Sequence, residues 1–162
     1  HSYRITELEA ALGLAQLDDL TIDELLRKRR AYARRLTHAL NRLNERYGET
    51  FQAPTVADGN ESAWMMFPIV LRRGDKEACM AHLNAYGIET RDMLPLLSQP
   101  AFWYLPKADY PVSANLVANG FYIGCHQGLT PSDTEYINDV LGLWVDPDYQ
   151  AIHVEDALRE AR

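Results

Sequence analysis

Apolar side chains recur three and four residues apart in several stretches of the chain, the spacing that puts them on one face of a helix. Leu8, Ala11, Leu12 and Ala15 form the first such stretch. Thr6 and Glu9 make a capping box, each side chain able to meet a backbone N–H at the helix start, and the helix is expected to stop near Asp18 and Asp19. Thr21, Asp23 and Glu24 suit the first turn of a second helix. Leu25, Arg29, Tyr32, Leu36, Leu40, Leu43 and Tyr47 carry it on as one long amphipathic rod, with Gly48 placed as its C-cap. Near the other end, Thr130, Pro131 and Asp133 open a helix whose buried face is Tyr136, Ile137, Val140, Leu141 and Trp144.

Between these helices the periodicity changes. After a turn at Asp58-Gly59-Asn60, residues 63–71 form an apolar run expected to be a buried strand, interrupted by Pro68, which lacks a ladder donor and suggests an edge or a bulge. Asp75 caps a short helix carrying Cys79, Met80 and Leu83, and Gly87 ends it before a strand at 88–91, a β-α-β pattern. Residues 92–111 hold Pro95, Pro100, Pro106 and Pro111, too many for regular structure, together with Phe102, Trp103, Tyr104 and Tyr110. A proline-rich loop so loaded with aromatics is packed against something or used to bind. A short helix over 112–119, a strand over 121–125 and a polar tail beyond Pro147 complete the pattern. The fold class is α/β: a few short strands covered by helices.

Composition narrows the function. A chain of 162 residues, 47% hydrophobic, can bury a core of domain size. Its apolar runs are far short of a membrane span and no basic stretch leads into a hydrophobic block, so a soluble, cytoplasmic protein is expected, with no membrane partner. The net charge of -7 opposes non-specific attraction to nucleic acid. Cys79 and Cys125 make no CxxC pair and are expected as small core residues, and the five histidines include no i, i+4 pair for a metal.

Four features are candidates for chemistry. The run Arg27-Lys28-Arg29-Arg30 with Arg34 and Arg35 could gather phosphates, although most of it lies off the apolar stripe and fits a solvated helix face better. Cys125-His126 leaves a strand between Gly124 and Gly128, which leaves open a ligand-facing loop or a structural turn. Strand alternation points this thiol and imidazole apart, against a nucleophile–base pair. Ser2, Tyr3 and Arg4 precede a capped helix, where an anion would meet free N–H groups, a hydroxyl and a guanidinium. None of the three lysines, Lys28, Lys76 and Lys107, sits in a sequence setting apolar enough to suit Schiff-base work.

The opening HSYRITELEAALGLAQL resembles the segment of DegT/StrS sugar aminotransferases that commonly reads Gly-Tyr-Asn-Tyr-Arg-Met-Thr-Glu-Leu-Gln-Ala-Ala. The likeness continues through the arginine-rich helix, SAWMMFPIVL, GIETRDMLPLLSQPAF and LTPSDTEYINDVL, covering about residues 1–145 in the family's order. It implies a type I aminotransferase fold: residues 1–20 as a lead-in helix from a large domain, 21–145 as the small C-terminal domain with a short, mainly antiparallel sheet, and 146–162 as a tail. By the same resemblance the large domain holds pyridoxal 5'-phosphate and the catalytic lysine, so this stretch alone is expected to be inactive. Family members are homodimers, and Ser2, Tyr3 and Arg4 match the segment that reaches the cofactor phosphate of the neighbouring subunit. Amino transfer in the family runs from glutamate to a nucleotide-linked keto-sugar, and by position Arg91, His126 and Gln127 fall to the substrate side.

Three departures from the family pattern bear on that site. Ser2 stands where asparagine is commoner, and Met65 and Leu97 stand where histidines often follow the tryptophan and the Pro-Leu pair. The lost imidazoles imply a less polar sugar pocket. Two other readings stay open: a related sugar dehydrase, in which histidine replaces the catalytic lysine, and a non-catalytic dimerisation or interaction module on the same fold.

Overall fold

Side-chain caps set the helix boundaries. The computed structural model describes residues 5–19 and 21–154. Helix α1 (Glu7–Asp19) starts as the sequence predicts: the Thr6 N–H donates to Glu9 at 2.8 Å and the Glu9 N–H to the Thr6 hydroxyl at 3.2 Å. Helix α2 (Ile22–Tyr47) starts at Thr21, whose hydroxyl accepts from the Glu24 N–H, and ends at Gly48. Gly48 has φ +86°, a conformation that favours glycine; the Arg73 guanidinium, the movable end of an exposed side chain, lies 2.2 Å from where a Cβ would fall.

The chain then forms β1 (Phe51–Gln52), a strand that the pattern of residues did not show. Two residues carry no periodicity. What fixes them is Asn44 of α2, whose side-chain oxygen accepts from the N–H groups of Thr50 and Phe51 while its amide donates to the Phe51 carbonyl at 2.7 Å. Next come β2 (Met66–Leu71), α3 (Lys76–Ala85), β3 (Thr90–Asp92), α4 (Pro111–Asn119), β4 (Gly120–Gly124) and α5 (Pro131–Val145).

All strand pairs are antiparallel and the sheet order is β1-β2-β4-β3. The expected β-α-β unit is therefore split: β2 and β3 run in the same direction, and β4 lies between them. Strand β2 is shorter than the 63–71 expectation, and it alternates rather than being buried throughout. Phe67, Ile69 and Leu71 face the core, while Met66, Pro68 and Val70 take the half-buried other face. Pro68 lies in an inner strand, yet β1 reaches only Val70 and Leu71, so Pro68 has a strand neighbour on one side alone. The proline reading holds locally, through the shortness of β1.

Phe51, Phe67, Ile69, Phe121 and Ile123 from the sheet meet Leu36, Leu40 and Leu43 of α2, Cys79 and Leu83 of α3, and Ile137, Val140 and Leu141 of α5. Burying side chains of this size is worth roughly 1.5–3 kcal/mol each, which is what holds the layers together. Two expectations change. The 92–111 stretch contains three short 3-10 helices, at Leu96–Ser98, Pro100–Phe102 and Lys107–Asp109, rather than none. The residues after Pro147 are not simply polar surface: Ala151 and Val154 join the core, and Tyr149 packs over Gly142, where a Cβ would lie 2.6 Å from its ring. Among the described residues no helix is long and apolar enough to cross a membrane.

Candidate functional site

Strand β3, the end of β4 and the first turns of α5 enclose a cavity of about 460 Å³ lined by Ile88, Glu89, Arg91, Tyr122, His126 and Tyr136 among others. Arg91 pairs with Tyr122 across β3 and β4. His126 follows β4, two residues beyond its last strand residue, and Asp133 closes the cavity from the start of α5. Two residues far apart in sequence and singled out from it, Arg91 and His126, thus share one wall-to-wall space.

Their donors differ in availability. The Arg91 Nε and Nη2 both donate to one Glu89 carboxylate oxygen, at 3.0 and 2.8 Å. The Glu89 hydrogen bond, and then its charge, raise the Arg91 pKa above its ordinary value and keep the guanidinium cationic. His126 Nδ1 accepts the Gly128 N–H at 3.2 Å, so a neutral His126 carries its proton on Nε2. A Cβ on Gly128 would lie 3.2 Å from that same Nδ1, so the glycine is what lets the imidazole seat. The room at Gly124 is ordinary van der Waals space. Asp133 and Tyr136 are already engaged, the first in the Thr130 capping box and the second through its hydroxyl to the Tyr86 carbonyl at 2.8 Å; burial raises the Tyr136 pKa.

Gln127 does not line the cavity; its side-chain oxygen accepts from Arg29 Nη2 at 3.4 Å. Arg29 also takes the Cys125 thiol on its carbonyl, at a sulfur distance of 3.6 Å, and its buried Nε has no hydrogen-bond partner. Arg29 therefore seats the 125–127 turn, and with Arg30, which reaches Glu61 at 2.8 Å and the Ser62 carbonyl at 3.2 Å, it departs from the solvated face expected for the basic run. Arg27, Arg34 and Arg35 do face solvent. Both cysteines are core residues, with burial pushing Cys79 up to about 12 and Cys125 to about 11, far from a reactive thiolate. Ser2, Tyr3 and Arg4, the sequence's cofactor-phosphate candidates, lie outside the described residues. Met65 is exposed and Leu97 buried, and neither lines the cavity.

A family model described as the DegT/DnrJ/EryC1/StrS aminotransferase family matches residues 1–142. The chain belongs to that family. Among curated proteins it is 29% identical over 140 residues to the GDP-perosamine synthase of Caulobacter vibrioides, covering 84% of this chain and 36% of that protein. A DegT DnrJ EryC1 StrS aminotransferase structure from Brucella abortus superposes with a TM-score of 0.68 at 25% identity, over 88% of this chain and 36% of the other. DesV of S. venezuelae gives a TM-score of 0.70 at 21% identity, over 88% and 37%, a likeness that bears on fold. The chain spans about a third of the length of these relatives.

Pyridoxal phosphate, expected from the family resemblance, would need an amine and phosphate donors. Of the lysines, Lys28 contacts Glu24 at 3.8 Å, Lys76 is paired with Asp92 and Lys107 lies in a surface 3-10 helix; none lines the cavity. The described residues do not fit the cofactor by themselves, and no step through it follows from them. Lys76 is itself only 7% exposed, a burial that its place in the first turn of a helix does not indicate.

Proposed function

We propose that the chain is the small-domain portion of an aminotransferase that moves an amino group from glutamate to a nucleotide-linked keto-sugar, using pyridoxal phosphate as the electron sink. The observation that carries this is the convergence of Arg91 and His126 in one cavity on a chain of this family. In this reading the Arg91 fork binds an anionic group of the substrate. His126 donates from Nε2 to a sugar oxygen, and Gln127, held by Arg29, fixes the turn that presents His126.

Residues 21–145 form the small domain, α1 is the lead-in helix from the large domain, and the catalytic lysine comes from that large domain. That the relatives are about three times as long supports a further, large domain in the whole protein. Ser2, Tyr3 and Arg4 would then serve the cofactor phosphate of a neighbouring subunit in a cytoplasmic homodimer. The exposed apolar side chains of α1, Leu8, Leu12 and Leu14, favour burial against another surface.

The test gives the full-length protein pyridoxal phosphate, glutamate and a GDP-linked keto-sugar, with products followed by mass spectrometry. An amino-sugar with matching 2-oxoglutarate is the expected outcome. Loss of a sugar hydroxyl without a retained amine would instead identify the dehydrase, and no turnover with any nucleotide-linked keto-sugar would favour the interaction module.

A further inference from the structure

Lys76 is the first residue of α3, and its ammonium is buried. Its Nζ donates to the Asp92 carboxylate at 2.7 Å and to the Val117 carbonyl at 3.0 Å, with Glu77 at 3.7 Å. Asp92 ends β3, and Val117 lies in α4 on the way back to β4. One ammonium therefore grips both ends of the same excursion of chain. Among the described residues, the hydrogen bonds of residues 94–110 stay within the excursion and its helix α4; the Met93 N–H donates to the Gly120 carbonyl at 3.3 Å, and α4 packs against β2 and β4.

Stability alone is a poor account of this lysine. A cation in the first turn of a helix faces the positive end of the dipole. Its partner Asp92 is 54% exposed, so solvent screens the attraction between the two charges. What an ammonium supplies and a methionine lacks is a set of directed donors at two fixed points.

We propose that Lys76 is a positioning residue for the candidate site. By holding Asp92 it sets the β3 backbone that presents the adjacent Arg91 to the cavity, and by holding Val117 it closes the base of the excursion. This rests on the reading of Arg91 as a substrate-facing group.

The experiment compares Lys76→Met, Lys76→Arg and Arg91→Ala in the full-length protein by hydrogen exchange, thermal unfolding and binding of inorganic pyrophosphate, the group shared by nucleotide diphosphates. In Lys76→Met, amides of residues 93–110 are expected to exchange about tenfold faster while β2 and β4 keep wild-type protection. Its pyrophosphate affinity should fall about fivefold with an unfolding midpoint close to wild type, because the Asp92 carboxylate left behind is 54% exposed and stays hydrated, and Lys76→Arg should restore both the exchange and the affinity. Unchanged exchange in 93–110, or faster exchange spread equally over β2 and β4 with a lowered midpoint, overturns the proposal. Arg91→Ala separates the two readings: if it binds pyrophosphate like wild type, the assignment of Arg91 fails, while the exchange result still decides what Lys76 does.

Discussion

Helices α1 and α5 open with the same device and meet opposite fates. Thr6 with Glu9, and Thr130 with Asp133, form reciprocal caps of the same geometry. Yet α5 buries Ile137, Val140 and Leu141 against α2, α3 and the sheet, whereas on α1 Leu8, Leu12 and Leu14 remain 72%, 65% and 64% exposed. A cap specifies where a helix starts. It carries no information about what the helix lies against, which depends on a complementary surface elsewhere.

The strongest way to break the comparison is to hollow out each helix. Leu141→Ala should cost about 2–5 kcal/mol in urea unfolding, because its site is sealed on every side. Leu8→Ala should change the stability of this chain by less than about 0.5 kcal/mol. In the full-length protein, Leu8→Ala is expected to move toward the core value if α1 is covered there; an unchanged small effect would mean that α1 stays bare. Caps come next in size. Thr130→Ala should lower global stability by about 1 kcal/mol, while Thr6→Ala should reduce helical circular dichroism with no shift in the cooperative transition.

The smallest effect is one of pH. The backbone and side-chain hydrogen bonds from Thr6 lower the Glu9 pKa below its ordinary 4.5. A lowered folded-state value means that the α1 cap contributes above about pH 4.5 and is lost as acid titrates Glu9 through its folded pKa. Helicity of α1 should thus fall as the pH drops below 4.5, and Glu9→Gln should flatten that dependence.

These contrasts also show what could be read from the residues. Thr6, Thr21, Asp75 and Thr130 each accept the backbone N–H three residues on, as their spacing predicts, because capping is local chemistry. The antiparallel character of the sheet came from the family likeness. The insertion of β4 between β2 and β3 was not legible, because strand order is set by tertiary packing. Arg91 and His126 could be named as candidates from motif position, but their shared cavity required the fold, and the turning of Gln127 toward Arg29 depends on a contact 98 residues apart. Lys76 escaped notice since a lysine in a helix first turn is ordinarily solvated; its burial depends on Asp92 and Val117 arriving from later in the chain.

That late arrival applies to the sheet as a whole. Strands β2 and β3 have no common neighbour until β4, residues 120–124, is in place. Until residues 120–124 have left the ribosome, β2 and β3 therefore present open strand edges, a state prone to pairing with other chains. Folding is then closed from the C-terminal side, by long-range contacts that form slowly. The chain must pass through a stage in which its sheet lacks an inner strand, and its yield in the cell would depend on how quickly β4 is delivered.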